Sequence, residues 1–81
     1  MKTHLVIEAI NRLTVERGEK KGDYYRATFS CKDVLDYMDF EITQHHLRHV
    51  AYIATKMYPG SKATGSARKG NWVLNMKIRS K

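Results

Sequence analysis

One segment near the C-terminus of this 81-residue chain limits the possible folds more than any other pattern in the sequence. Its residues alternate along two faces, with Trp72, Leu74, Met76 and Ile78 on one and Val73, Asn75, Lys77 and Arg79 on the other. A period of two predicts a strand whose apolar face docks on helices and whose other face is polar and basic. The preceding residues 60–70 are small, polar and basic. We therefore expect a hairpin in which residues 61–67 pair with 72–79.

The N-terminal part of the chain has a helical periodicity instead. Apolar residues recur at spacings of three and four from Thr3 to Arg17, which predicts the first helix. Thr3 can cap this helix and Gly18 can stop it. Residues 18–23 contain two glycines and mixed charge, so we expect a solvated loop. Residues 24–29 are β-prone and short, and they predict an edge strand.

Two further helices are predicted between this strand and the hairpin. Ser30 and Asp33 resemble a capping box that opens a second helix, which ends near residue 39. Thr43 is the expected N-cap of the third helix, which ends at the pair Pro59-Gly60. The core stripe of the third helix is predicted to comprise Leu47, Val50, Ala51, Ala54 and Tyr58. The short connection between the two helices allows a helix-turn-helix geometry.

Charge is distributed unevenly along the sequence. Residues 1–41 carry seven basic and eight acidic groups, whereas residues 42–81 carry eight basic groups and no acid. The two halves therefore hold net charges of −1 and +8, which give the chain its formal charge of +7. A surface with one sign of charge and no internal partners attracts a polyanion. Nucleic acid is accordingly the expected partner.

Several other functional classes lack their sequence signatures. The single Cys31 excludes an intramolecular disulfide, fits a reducing compartment and is expected to be a buried structural thiol. No segment approaches the ~18–20 apolar residues of a membrane span. There is no phosphate loop, nucleophile elbow, HExxH or CxxC, so we expect no enzymatic activity and no cofactor. His45 and His49 have a metal-binding spacing, but zinc requires further ligands, so surface donors are expected instead of a metal site.

The order helix, short strand, helix, helix, hairpin resembles that of winged helix-turn-helix domains, over nearly the whole chain. The segment Ile42–Val50 is similar to the start of that family's recognition helix, with an apolar residue, a capping Thr43 and an apolar residue four positions later. The turn 39–42 lacks the glycine often found there. The resemblance implies an α+β fold, namely a single winged helix-turn-helix domain over residues 1–81 with three helices, a short strand and a C-terminal β-hairpin.

The third helix carries the expected site, because its exposed face is rich in hydrogen-bond donors and has no acid. Arginine can grip guanine with two bonds, and glutamine can pair with adenine. The resemblance implies that helix 43–58 enters the major groove and that the wing 61–71 touches the backbone or the minor groove. The predicted nucleic-acid-binding residues are Gln44, His45, Arg48, His49, Tyr52, Lys56, Lys62, Arg68, Lys69 and Lys77.

These features predict a small sequence-specific double-stranded DNA-binding protein. By analogy with short basic phage and mobile-element control proteins, we expect a cytoplasmic, nucleoid-associated transcriptional regulator. An RNA-binding module is an alternative that exposed aromatic residues on a basic sheet would favour. A protein-interaction module that inhibits a host or polymerase complex is another, with the acidic residues 33–41 as its surface. A homodimer is also possible, through spare apolar surface on the first helix.

Overall fold

The structure, a computed structural model, describes residues 2–66 and 72–79, and its first element is the helix that the N-terminal periodicity predicts. Helix α1 spans Thr3–Arg17, as predicted, and buries Val6, Ile10 and Leu13. The N-cap is Lys2, which makes no side-chain capping bond, so the prediction that Thr3 caps the helix is wrong. At the other end, the Gly18 N–H donates to the Thr14 carbonyl at 2.9 Å.

Gly18 ends α1 through close packing and not through a left-handed turn. Its φ of −100° and ψ of −178° are extended backbone that other residues also adopt. A Cβ at this position would overlap the carbonyl oxygens of Thr14 and Arg26 and would lie 2.9 Å from the Ala27 Cβ. The end of α1 therefore contacts the following strand so closely that only glycine fits.

Residues 18–23 form a hairpin where the sequence predicts a loop. Strand β1 (Glu19–Lys21) pairs antiparallel with β2 (Tyr24–Ser30), and Gly22 takes a φ of +62° in the turn between them. The prediction of a loop is wrong because Glu-Lys-Lys has no strand propensity of its own and gains its hydrogen bonds from β2. Strand β2 is also interior, contrary to the predicted edge strand, since β1 and β4 flank it.

Helix α2 (Cys31–Tyr37) has defined caps at both ends. Ser30 Oγ accepts from the Asp33 N–H and the Asp33 carboxylate accepts from the Ser30 N–H, each at 3.0 Å, which confirms the capping box. The Ser30 N–H lowers the pKa of Asp33, and Arg17 at 3.2 Å lowers it further. Asp33 is thus held as a carboxylate at the start of the helix.

The turn after α2 has a left-handed residue although it lacks glycine. Asp39 has a φ of +59°, and its N–H donates to the Asp36 carbonyl at 3.1 Å. The Phe40 N–H donates to the Leu35 carbonyl at 2.9 Å, which completes a Schellman motif. Aspartate tolerates this conformation better than most residues, so Asp39 takes the place that glycine often has in such a turn.

Helix α3 (Gln44–Met57) begins where the sequence predicts. Thr43 Oγ1 accepts from the His46 N–H at 3.1 Å, which confirms the N-cap. The predicted stripe is buried apart from Tyr58, which is half-buried and donates to Asn11 Oδ1 at 2.8 Å. Ile53, which the periodicity places at the edge of the stripe, is only 3% exposed. The helix is therefore anchored by an apolar face and by a polar contact with α1.

The C-terminal strand lies inside the sheet. Strand β4 (Val73–Arg79) pairs with β3 (Lys62–Thr64) and also with β2, which gives the antiparallel order β1-β2-β4-β3. The predicted hairpin is confirmed for these strands, and its expected turn around residues 68–70 lies outside the described residues. The Lys77 N–H donates to Ser61 Oγ at 2.8 Å at the start of β3.

Three helices and four strands in the described part of the chain enclose one core, so the fold is a small α+β domain. The inward side chains of the sheet include Ala27, Phe29, Leu74 and Met76. Cys31 lies in the same core and is fully buried, as predicted, and burial raises the pKa of its thiol from 9.0 to about 12. The thiol is therefore protonated at neutral pH and is not a nucleophile.

This buried thiol predicts a loss of stability in alkaline solution. Above pH 9 the unfolded chain releases the Cys31 proton while the folded chain retains it, so the free energy of unfolding falls as pH rises toward about 12. The loss at pH 10 should be about 1.4 kcal/mol. Urea titrations at pH 7 and pH 10 should show this loss in the wild type and a smaller loss in Cys31→Ala. An equal loss in both proteins would contradict the assignment.

Candidate nucleic-acid interface

The exposed face of α3 brings together five of the predicted residues. Gln44, His45, Arg48, Tyr52 and Lys56 are all exposed on this one helix. We call this set the α3 strip. Tyr52 is 59% exposed, and the Lys56 Nζ lies 5.6 Å from the centre of its ring. Helix α3 contains no acidic residue, so the strip presents donors and positive charge without an internal counter-charge.

His49 occupies a different position from the one the helical spacing predicts. Its ring is half-buried, and Nε2 is buried with no hydrogen-bond partner. A nitrogen enclosed in this way does not face a base edge. His49 therefore lies at the boundary between the core and the α3 strip, because the core side of α3 is wider than the stripe read from the sequence.

His46 fixes the chain that leads into the helix. Its Nδ1 lies 2.7 Å from the Glu41 carbonyl oxygen, and its ring packs edge-on against Phe40 at 5.6 Å between ring centres. Because a carbonyl oxygen only accepts, the proton must be on Nδ1. The α2–α3 turn is thus held by a side chain of α3 as well as by its own backbone.

A cleft separates the α3 strip from the hairpin. Its volume is about 230 Å³, and its walls are Arg48, Tyr52 and Thr55 on one side and Ala63 and Trp72 on the other. Trp72 packs against the core, in agreement with its place in the alternation, but it is only half-buried. Residues 55 and 72 are therefore additions to the candidate site. Helical spacing already places Thr55 on the exposed face of α3, whereas only the packing of β3 beside α3 brings Trp72 to the site.

Lys62 and Lys77 lie on another surface. The register places both on the side of the sheet away from the helices, since their neighbours Ala63, Met76 and Ile78 face the core. The Lys77 Nζ lies 4.4 Å from the centre of the Tyr24 ring. The structure therefore divides the predicted residues between the α3 strip and the outer face of the sheet. Arg68 and Lys69 lie outside the described residues.

The cations of the α3 strip and of the outer face form no ion pairs in the described part of the chain. Within residues 2–66 and 72–79, the one ion pair joins Arg17 to Asp33, and neither residue belongs to the α3 strip or to the outer face. The same residues contain no cluster of three or more histidine, cysteine or acidic side chains that could hold a metal ion. None of the described helices has the length and apolar character needed to cross a membrane.

Comparison of the chain with known protein families, curated proteins and solved structures finds no significant match. No family model matches the chain, and no curated protein and no solved structure is significantly similar to it. Its function is therefore inferred from its fold and from the chemistry of its surfaces.

Proposed function

We propose that this chain is a sequence-specific double-stranded DNA-binding protein of the winged helix-turn-helix type. The order α1, β2, α2, α3 and the β3–β4 hairpin supports this, because it is the element order on which the resemblance rests. Strand β1 is an addition to that order. We propose that this chain acts as a nucleoid-associated transcriptional regulator.

The observation that carries the proposal is the acid-free α3 strip beside the hairpin. In this proposal α3 lies in the major groove, with Gln44 and Arg48 near its N-terminal end, where recognition helices contact base edges. Arg48 would bond guanine O6 and N7, and Gln44 would bond adenine N6 and N7. Tyr52 and Lys56, one to two turns further along, would contact phosphates and fix the register.

The RNA-binding alternative has less support. Single-stranded RNA is bound by aromatic rings that stack on its bases, usually from a basic sheet. The outer face of this sheet is basic, but the ring of Tyr24 has the Lys77 ammonium over it. Tyr25, on the opposite side of β2, is half-buried. Among the described residues, the large exposed aromatic of the basic half is Tyr52 on α3, which favours a helix-based interface.

A duplex-binding titration at several salt concentrations tests the proposal. We expect the logarithm of the affinity to fall linearly with the logarithm of the salt concentration, with a slope of about −0.9 for each phosphate contacted. Sequences enriched from a random duplex pool should bind more tightly than unselected ones. Single-stranded RNA of the same length should compete poorly. Failure to bind any duplex at low salt, or equal competition by the RNA, would rule out the proposed function.

A further inference from the structure

The outer face of the sheet gathers basic residues from all four strands. The antiparallel register sets its residues in rows across the strands, and three of these rows contain all its charged residues. These rows are Thr28, Asn75 and Lys62; Glu19, Arg26 and Lys77; and Lys21, Tyr24 and Arg79. Five of these nine side chains are cationic and one is anionic. The neighbouring strands are ~5 Å apart, so the cations form a continuous patch.

Neighbouring side chains orient the hydrogen-bond donors of this face, and none of its cations forms an ion pair with a carboxylate of the described residues. Glu19 lies opposite Arg26 in the register, but no ion pair joins the two side chains. The Thr28 hydroxyl donates to Asn75 Oδ1 at 3.1 Å, which leaves the Asn75 amide hydrogens available to a ligand. The contact with Tyr24 holds the Lys77 ammonium on this side of the sheet.

A shallow depression of about 660 Å³ follows the same surface. Arg26, Lys62 and Lys77 line it together with Thr28 and Asn75. Arg17, Lys21 and Glu19 line it as well, so its walls offer five cations, one carboxylate, a hydroxyl and an amide to one ligand. Phosphate oxygens are the chemistry that such a set of donors binds, with arginine favoured for the bidentate contact.

We propose that the outer face of the sheet binds the phosphate backbone of a second DNA duplex, so that one copy of the chain holds two duplexes together. This inference rests on the proposed function, in which the first duplex occupies the α3 strip. The side chains of the outer face alternate along the strands with those that point into the core, and in this proposal the α3 strip and the outer face hold different duplexes. Bending one stiff duplex around the domain would cost free energy that a separate duplex avoids.

The chemistry of the face also indicates the kind of readout. This sheet has four strands and is wider than the two-stranded ribbon that the major groove admits, so its charged side chains would contact backbone phosphates. Binding of the second duplex should therefore be independent of sequence and strongly salt-dependent. The α3 strip would select the site, and the sheet would attach any neighbouring duplex.

A two-colour experiment tests whether one chain bridges two duplexes, which we call the bridge. The wild-type chain is mixed with a donor-labelled target duplex and an acceptor-labelled duplex of unrelated sequence, and energy transfer is measured against protein concentration. The outer-face variant is Arg26→Ala/Arg79→Ala. The matched control is Arg12→Ala/Lys20→Ala, which removes the same charge from exposed positions on α1 and on the other side of β1. All four side chains are exposed, so the fold should be retained.

We expect energy transfer with the wild type and the control. The outer-face variant should require at least a tenfold higher concentration for the same transfer, while its affinity for the target duplex alone changes less than twofold. Equal transfer in variant and control, or a loss of target binding as large as the loss of transfer, would overturn the bridge. Target binding without transfer in the wild type would overturn the bridge and leave the proposed function intact, whereas no target binding at all would remove both.

Discussion

Replacement of Arg48 by alanine is expected to weaken binding to the target duplex by about 1–3 kcal/mol and to relax the preference for one base pair. The reason is the position of Arg48 on the α3 strip, where no carboxylate pairs with it in the described structure and where it lines the cleft beside the hairpin. Titration of the target duplex and of single-base variants of it measures both effects.

A charge-matched control separates base contact from general attraction. Arg12→Ala removes one positive charge from the exposed side of α1 and should leave affinity nearly unchanged apart from a small, salt-dependent term. Lys69→Ala, in the predicted wing, should weaken binding to all duplexes alike, because a phosphate contact carries no sequence information. An equal loss on every sequence for Arg48→Ala would show that Arg48 contacts the backbone and does not read a base.

Replacement of Gly18 by alanine is expected to destabilise the fold by about 2–3 kcal/mol, because it overpacks the junction of α1 and β2. The added methyl group would overlap two carbonyl oxygens and would come within 2.9 Å of the Ala27 Cβ. Backbone atoms cannot rotate away as a flexible side chain can. For a domain of this size, whose total stability is on the order of 5–10 kcal/mol, this is a large fraction.

Gly22→Ala provides the control for this experiment. A Cβ at Gly22 meets nothing within 4 Å, but its φ of +62° places an L-residue in the left-handed region. The expected cost is about 1 kcal/mol, from backbone strain alone. Urea denaturation followed by circular dichroism measures both variants. If Gly18→Ala were no more destabilising than Gly22→Ala, the α1–β2 junction would be looser than the structure indicates.

Local patterns were sufficient for the helices of this protein. The spacing of apolar residues gives the extent of α1, although not its N-cap, and the hydroxyl caps Ser30 and Thr43 give the starts of α2 and α3. The alternation from residue 72 to residue 79 gives β4 and its buried face. These elements are specified by residues a few positions apart, whose hydrogen bonds and packing stripes depend only on their own segment.

The candidate site could be predicted only in part, because local patterns group residues of one segment but do not show what packs beside it. The members of the α3 strip share one helix, so helical spacing groups Gln44, His45, Arg48, Tyr52 and Lys56. The spacing misplaces His49, because the burial of its Nε2 depends on what packs beside α3. It also cannot place Lys77, whose neighbours Arg26 and Tyr24 lie about fifty residues earlier in the chain.

The sequence by itself determined the identity and the order of the main elements, together with the excess of positive charge in the second half. Only the tertiary structure decided that residues 19–21 form a strand, that β4 lies between β2 and β3, and that Gly18 marks a close contact. It also placed five basic residues from the four strands on one outer face, namely Lys21, Arg26, Lys62, Lys77 and Arg79. Strand pairing and close packing join segments that are distant in the chain, so they depend on the whole fold and not on any local pattern.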